Sequence, residues 1–464
     1  MSTPGAPGPV SLGRGQSPYV RELVRLLALH VPPGASVLEI GTMRNGDVLA
    51  ALAPSRGVGV CADPAVAATA RARHPELEFI VAELESFPWT GPPFDFVVVW
   101  AALGEARDVE AVLARARAAC HPSTRILLAH PNSVWELLLR FMARFQAGRP
   151  RGELNWLSLQ DIKNLCHLAD IDVIRESSEV IFPFRVPGLA WVLNHVVGRF
   201  WPFTHLGLIQ LVIARPDGPP AGAAAWRVSV IIPARNERGN IAEAVRRTPE
   251  MGAGTEIVFV EGNSSDGTAE EIERQIALHP ARPMRLVRQG AGVGKGDAVR
   301  KGFAAATGDV FMILDADLTV PPELLPRFFA ALASGKGELV NGTRLVYPME
   351  VEAMRFLNKL GNRFFSFLYT WLLDQPIRDT LCGTKVLSRA HYELIARNRS
   401  YFGDFDPFGD FDLLLGAAKA NLKIVEIPVR YAARTYGTTN ISRFKHGFLL
   451  LQMSWFAWWR LKLR

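Results

Sequence analysis

Val310-Phe-Met-Ile-Leu-Asp-Ala-Asp317 is the stretch that decides the fold of the second half of this chain. Val310 to Leu314 is an uninterrupted apolar run of strand length, without the polar alternation of a half-exposed strand. It predicts a strand buried on both faces of a parallel sheet. Open α/β sheets gather their ligands at the carboxyl ends of such strands. At that end the sequence sets two carboxylates, Asp315 and Asp317, one residue apart. Carboxylates drawn out of water need a partner, and a divalent cation is the natural one. Mg²⁺ or Mn²⁺ held by one or two carboxylates commonly also holds substrate phosphates. The expected chemistry is that of an enzyme acting on a nucleotide-diphosphate compound.

Upstream, the same grammar repeats. Apolar runs at Val228–Ile232, Glu256–Val260 and Met284–Val287 read as strands, with helices at Ile241–Arg247, Thr268–Leu278 and Gly296–Ala306 between and after them. The first half of the chain alternates likewise. Strands are expected at Ser36–Ile40, Gly57–Cys61, Glu78–Val81, Phe94–Trp100 and Ile126–Ala129, and helices at Ala65–Arg73 and Val109–Ala119. Strands separated by helix-length gaps predict parallel, doubly wound sheets, hence an α/β protein of two such domains. Pro216 to Ala225 is Pro-, Gly- and Ala-rich and reads as a linker. The expected division is a tail at 1–19, a domain at 20–215, a linker at 216–226, a second domain at 227–445 and an amphipathic helix at 446–464.

The chain has 464 residues, more than one core usually serves, with 49% hydrophobic and 21% charged residues and a formal net charge of +7. That excess suits anionic membrane surfaces or anionic substrates as well as a plainly solvated surface. No basic cluster interleaved with aromatics points to nucleic acid. Cys61, Cys120, Cys166 and Cys382 are dispersed, which fits a reducing compartment and neither a zinc site nor a disulfide scaffold. No run reaches the roughly 18–20 apolar residues that span a bilayer. Val186 to Ala214 comes near, but polar residues interrupt it. Gly447 to Trp459 is aromatic and runs into Arg460-Leu-Lys-Leu-Arg464, a pattern suited to a membrane interface or to packing on its own domain.

Four words in order carry a resemblance: Pro233-Ala-Arg-Asn-Glu237, Glu261-Gly-Asn-Ser-Ser-Asp-Gly-Thr268, Gly294-Lys-Gly296 and Asp315-Ala-Asp317. They lie within residues 228–445, which resemble a family 2 (GT-A) glycosyltransferase and, within that family, the dolichyl- or polyprenyl-phosphate sugar synthases. The resemblance implies that Pro233, Ala234, Asn236, Glu237, Glu261, Ser264 and Asp266 cradle the donor nucleotide. Asn236, Glu237, Ser264 and Asp266 also suit turn and helix-cap roles on their own residue types. Gly262 replaces the family's second acidic residue and leaves the base open. The resemblance further implies that Lys295 and Gly296 face the donor phosphates and that Asp315, Ala316 and Asp317 meet ribose and metal, with Asp315 and Asp317 as the metal pair. Arg434 belongs to a loop similar to the family's Arg-x-x-Gly-x-Ser-Lys, though Asn440 stands for the lysine. Arg344, Asp379, Gly383 and Lys385 match the acceptor side. Asp412, with Asp410 as the alternative, matches the family's catalytic base; helix capping is the other reading of both. A phosphate acceptor is already ionised at neutral pH and needs no base, whereas a hydroxyl acceptor does. The implied reaction is an inverting, Mg²⁺- or Mn²⁺-dependent sugar transfer from a nucleotide-diphosphate sugar to a polyprenyl phosphate or another glycan or lipid acceptor. It would belong to the cell envelope, in the cytoplasm or peripherally at the inner face of the cell membrane.

Val37-Leu-Glu-Ile-Gly41 and Ala82-Glu-Leu-Glu-Ser-Phe-Pro-Trp89 carry a second resemblance. Residues 36–130 are similar to class I S-adenosylmethionine-dependent methyltransferases, which implies contacts from Glu39, Gly41, Gly46, Asp63, Glu83 and Leu84 to that cofactor. The sequence departs from the pattern at Met43 and Asn45, where glycines are expected. It departs again at Cys61, where the ribose-binding acid should stand; Asp63, two residues on, either reaches the ribose or caps the next helix. The domain either methylates an acceptor, making the chain bifunctional, or serves as a non-catalytic binding module. His130, before Pro131 and Asn132, lies where a methyl acceptor would sit or is a core histidine.

Overall fold

The computed structural model describes residues 18–42, 44–100, 102–143, 155–182, 186, 188–200, 203–292, 294–346, 356–399, 411–432, 434, 436 and 443–462. The chain forms two compact units that meet in sequence at Asp217 and Gly218.

The first unit is built on β1 (Ser36–Ile40), β2 (Arg56–Cys61), β3 (Glu78–Val81), β4 (Phe94–Trp100), β5 (Cys120–Pro131), β6 (Ile171–Glu179) and β7 (Ile209–Pro216). They make one sheet in the order β3-β2-β1-β4-β5-β7-β6. β1 to β5 run parallel, and β7 lies antiparallel between β5 and β6. The apolar runs explain the layering. Val37, Leu38 and Ile40 of β1 and Val97, Val98 and Val99 of β4 are fully buried, alternately into one of two clusters on opposite faces of the sheet. β5 proves longer than the apolar run Ile126–Ala129, extending over Cys120–Pro131.

The second unit holds β8 (Val228–Ala234), β9 (Thr255–Glu261), β10 (Met284–Arg288), β11 (Val310–Ile313), β12 (Leu339–Thr343), β13 (Lys385–Ser388) and β14 (Ile424–Pro428). Their order is β10-β9-β8-β11-β13-β12-β14, with β13 antiparallel to both neighbours and the other pairings parallel. β14 is an edge strand, and Pro428 sits at its end, where a missing N–H costs little. Both sheets turn about their first strand. In the second unit the reversal falls between β8 and β11, so their carboxyl ends border one crevice. Both units are the doubly wound α/β folds that the two resemblances implied.

Candidate active site

Two loops of the second unit knit together at the carboxyl ends of β8 and β9. Ala234 closes β8 beside Glu261, which closes β9. Asn236 takes a left-handed backbone at φ 56°, which asparagine tolerates better than other side chains. Its N–H donates to Ser264 Oγ at 3.0 Å, and its Oδ1 accepts from Ser265 N at 2.9 Å. Glu261 is buried and accepts from Ser264 N. Asn236 and Asp266 make their turn and cap bonds across loops. Asp266 receives Arg238 N, at the start of the helix Arg238–Arg247, at 3.2 Å, while its other oxygen receives Thr268 N at 3.0 Å. Glu237 stands at the N-cap of that helix without a side-chain cap bond. It accepts instead from Asn240 Nδ2 at 2.7 Å. Burial raises the Glu237 carboxyl above its ordinary value; Asn240 and Arg434 oppose that, while Asp317 and Asp266 reinforce it.

The two aspartates stand just beyond β11, half-buried. Lys295, in the first turn of the helix Gly294–Ala305, meets Asp315 Oδ1 with its Nζ at 2.6 Å. That helix starts two residues before the expected Gly296. Arg434, beyond β14, meets Asp317 Oδ2 at 2.6 Å. Burial alone would raise the Asp315 carboxyl, but Lys295, then Lys385 and Arg344, hold it below the usual range. Asp317 is further fixed by Thr319, whose Oγ1 donates to Oδ1 at 2.8 Å. Gly383 closes over the pair: a Cβ there would meet Asp315 Oδ2 and Lys295 Nζ. Pro233, Ala316 and Gly296 complete the rim at the ends of β8 and β11 and in the helix after β10.

Two of the residues expected on the acceptor side, Arg344 and Asp379, bind each other. Arg344 clamps Asp379 in a two-pronged ion pair, Nε to Oδ2 at 2.7 Å and Nη2 to Oδ1 at 2.8 Å. Burial would raise Asp379 and lower Arg344; their attraction outweighs it, so Asp379 is held low and Arg344 high. Lys385 is fully buried and donates to Cys382 O at 2.6 Å. Asp412, in the first turn of the helix Phe411–Lys419, accepts from Arg399 Nε at 2.8 Å. Asp410 and Asn440 lie outside the described residues.

Sequence reasoning missed Thr319, Arg399 and Tyr436. Tyr436 lies against Gly239 and reaches Asp266 at 3.4 Å. Only its place two residues after Arg434 could have hinted at this. Among the described residues no group of three or more His, Cys, Asp or Glu gathers as a metal cluster. A two-carboxylate site with an adjoining lysine and arginine fits Mg²⁺ or Mn²⁺ shared with phosphates better than a cage made wholly of protein ligands.

In the first unit, Glu39 ends up 1% exposed, with Trp100 Nε1 donating to Oε1 at 2.5 Å and Thr42 Oγ1 to Oε2 at 3.0 Å. Gly41 (φ 83°), Asn45 (φ 62°) and Gly46 (φ 77°) are left-handed. The asparagine at 45 is thus compatible with the turn a glycine would make. Met43 lies outside the described residues. Asp63 caps the helix Pro64–Arg73, accepting from Ala65 N at 2.8 Å. Glu83 is exposed and Leu84 buried. Burial pushes the Cys61 thiol up to about 11. His130 is buried, kept neutral by desolvation that lowers it to about 4, and its Nε2 accepts from Leu157 N at 3.3 Å.

A GT-A-type sheet carrying an Asp-x-Asp pair at its switch point, in one chain with a methyltransferase-type sheet, defines a two-domain transferase architecture. The chain carries a family 2 glycosyl transferase domain, matched over residues 229–395, and a methyltransferase domain, matched over residues 13–176. It is 31% identical over 220 residues to a dolichol-phosphate mannosyltransferase of Pyrococcus furiosus, covering 46% of this chain and 59% of that one. It is 28% identical to the glycosyltransferase AglD of Haloferax volcanii, covering 53% and 39%. To the undecaprenyl-phosphate 4-deoxy-4-formamido-L-arabinose transferase of an Enterobacter species it is 29% identical, covering 47% and 64%. The chain spans less than two thirds of the length of each of these curated relatives. Among solved structures, glucosyl-3-phosphoglycerate synthase of Mycobacterium tuberculosis with Mn²⁺, UDP and phosphoglyceric acid matches 52% of this chain and 80% of its own at 21% identity and a TM-score of 0.39.

Proposed function

We propose that the second unit moves a sugar from a nucleotide-diphosphate donor to a polyprenyl phosphate, with inversion, in a single displacement. The observation that carries this is the paired arrangement Lys295–Asp315 and Arg434–Asp317. Each carboxylate suited to a divalent cation is matched by a side-chain cation suited to a phosphate. With a metal and a diphosphate bound, Asp315 and Asp317 would face the cation and Lys295 and Arg434 the phosphates, so no charge would be left uncompensated. Asp315 and Asp317 would hold Mg²⁺ or Mn²⁺, which neutralises the charge growing on the departing nucleoside diphosphate. Lys295 and Arg434 steady that same leaving group. Gly383 leaves the space for that arrangement, and Glu237, Glu261, Ser264 and Asp266 shape the nucleotide's cradle.

The Arg399–Asp412 pair favours an acceptor that brings its own charge. A phosphate oxygen attacks without a base, so Asp412 can stay paired and position rather than deprotonate. A lipid acceptor also fits the helix Arg443–Leu461. There Phe448, Trp455 and Trp459 are 62%, 64% and 53% exposed on one stripe, and Arg460 lies in the last turn. Among the described residues no helix is long and apolar enough to cross a membrane. Peripheral work at the cytoplasmic face is the reading we favour.

A second activity, methyl transfer from S-adenosylmethionine by the first unit, is favoured by one observation. Asn45 and Gly46 keep the left-handed turn after β1 despite the altered sequence.

The deciding experiment is donor hydrolysis across UDP- and GDP-sugars with Mn²⁺ or Mg²⁺, beside Asp317→Ala. One donor should turn over, and the variant should lose about 10²-fold or more while keeping the wild-type unfolding profile. Equal turnover by the variant would sink the assignment.

A further inference from the structure

Arg434 reaches Asp317 from a stretch of chain that belongs to no helix or strand. A long side chain keeps one place there only if the backbone beneath it is held. Two anchors hold it, each two residues away in sequence. On one side Ala432 N donates to Thr319 O at 2.9 Å, and Thr319 is the residue whose hydroxyl fixes Asp317. On the other side Tyr436 lies against the first turn of the helix Arg238–Arg247. A Cβ at Gly239 would stand 2.5 Å from its ring Cδ2 and 2.9 Å from Cγ and Cε2. Gly239 has no left-handed φ, so its backbone does not call for glycine, and alanine favours a helix more. The missing side chain leaves the room that the ring occupies. The Tyr436 hydroxyl lies 3.4 Å from Asp266 Oδ2, the oxygen that also accepts from Arg238 N. Residues 434 and 436 therefore touch both parts of the candidate site: one the aspartate pair, the other the loops after β8 and β9.

We propose that Tyr436 is a positioning residue: seated in the slot over Gly239, it sets the Arg434 guanidinium in place for the departing diphosphate. This rests on the transferase reading and adds to it a residue that the reading itself does not use. The ring carries the role, since 3.4 Å is long for a hydrogen bond from a hydroxyl. Tyr436 acts through Arg434, so its removal matters only while Arg434 is present.

The test is steady-state kinetics of the full-length protein with Mn²⁺ and whichever UDP- or GDP-sugar the wild type turns over. Tyr436→Ala should lower kcat about tenfold or more and raise the donor KM less, because Arg434 acts on charge that develops on the leaving group. Tyr436→Phe should recover most of that loss. Gly239→Ala should copy it with a thermal transition at or above that of the wild type, which a packing role alone would not give. On an Arg434→Ala background, Tyr436→Ala should cost less than about twofold more. A full further loss there, or a wild-type kcat in Gly239→Ala, overturns the proposal and leaves the transferase reading in place. The seat is also read without a donor. With 3-fluorotyrosine in place of Tyr436, Gly239→Ala and Arg434→Ala should each move the fluorine resonance towards that of the unfolded chain. If no donor turns over, the transferase reading fails and the resonance alone decides: movement in both variants supports the seating, and none overturns it.

Discussion

A methyl group added at Gly383 would meet the Asp315 carboxylate and the Lys295 ammonium. Both are ends of flexible side chains, so the fold can give way, but the groups displaced are the ones assigned to metal and phosphate. Gly383→Ala should therefore cost little stability and about 10²-fold in donor turnover, the penalty of misplacing reacting groups by about an ångström. Parallel activity and unfolding assays check this; a proportionate loss of both would make Gly383 a packing residue only. In the first unit a residue-scale effect appears in pH dependence. Burial raises Glu39 from 4.5 to about 7, against the bonds from Trp100 and Thr42. Across that window the folded protein keeps a proton the unfolded chain has released, so stability falls as pH rises. Burial lowers His130 from 6.5 to about 4. There the unfolded chain holds the extra proton, and stability rises with pH. The two oppose each other where the windows overlap. Glu39→Gln should uncover the His130 rise and leave the first unit more stable at pH 8 by roughly 3 kcal/mol. Urea unfolding at a series of pH values measures it, and a wild-type profile in the variant would refute the assignment.

Arg344 and Asp379 act at the scale of elements. The pair ties the end of β12 to the segment before β13, and Glu426 of β14 holds the same segment by accepting from Arg378 N at 2.8 Å and Asp379 N at 3.1 Å. Asp379 is 2% exposed. Arg344→Ala strands that carboxylate and should destabilise the second unit by roughly 3–5 kcal/mol. Arg344→Lys keeps the charge but loses the fork, and should fall between. A stability change near zero in Arg344→Ala, with only acceptor affinity lost, would instead return Arg344 to the acceptor site. The sequence made the central strands of the two parallel halves legible because they are apolar runs buried on both faces, as at Val310–Ile313 and Val97–Val99. β13 was not, being four residues long with a buried lysine at its start. β6 was hidden by its polar composition, Ile171-Asp-Val-Ile-Arg-Glu-Ser-Ser-Glu179, on a sheet edge. β7 was hidden for the opposite reason, as it merges into the apolar stretch before it. The residues we propose for the donor side could be grouped from the sequence because they fall at strand ends in fixed order. The pairings Arg344–Asp379 and Arg399–Asp412 were not legible, because ion pairs between separate segments leave no local pattern.

At the scale of the whole molecule, each of the four apolar clusters draws its buried residues from one unit alone, two from each. Each unit therefore has the means to unfold on its own, and heating the full chain should give two calorimetric transitions. Arg344→Ala identifies them, since only the second unit's transition should fall. Ligands then report on each half. A ligand at about a hundred times its dissociation constant adds roughly 2.7 kcal/mol to the unit that binds it. For units of this size that is a rise of roughly 5–10 °C. UDP with Mn²⁺ should raise the transition that Arg344→Ala lowers and leave the other in place. S-adenosylmethionine should raise only the first unit's transition if that unit is a methyltransferase in its own right. No shift with S-adenosylmethionine beside a clear shift with UDP would make the first unit an accessory to the transferase. Shifts in both would make the chain bifunctional. A single transition that both ligands raise would contradict the separateness of the two cores.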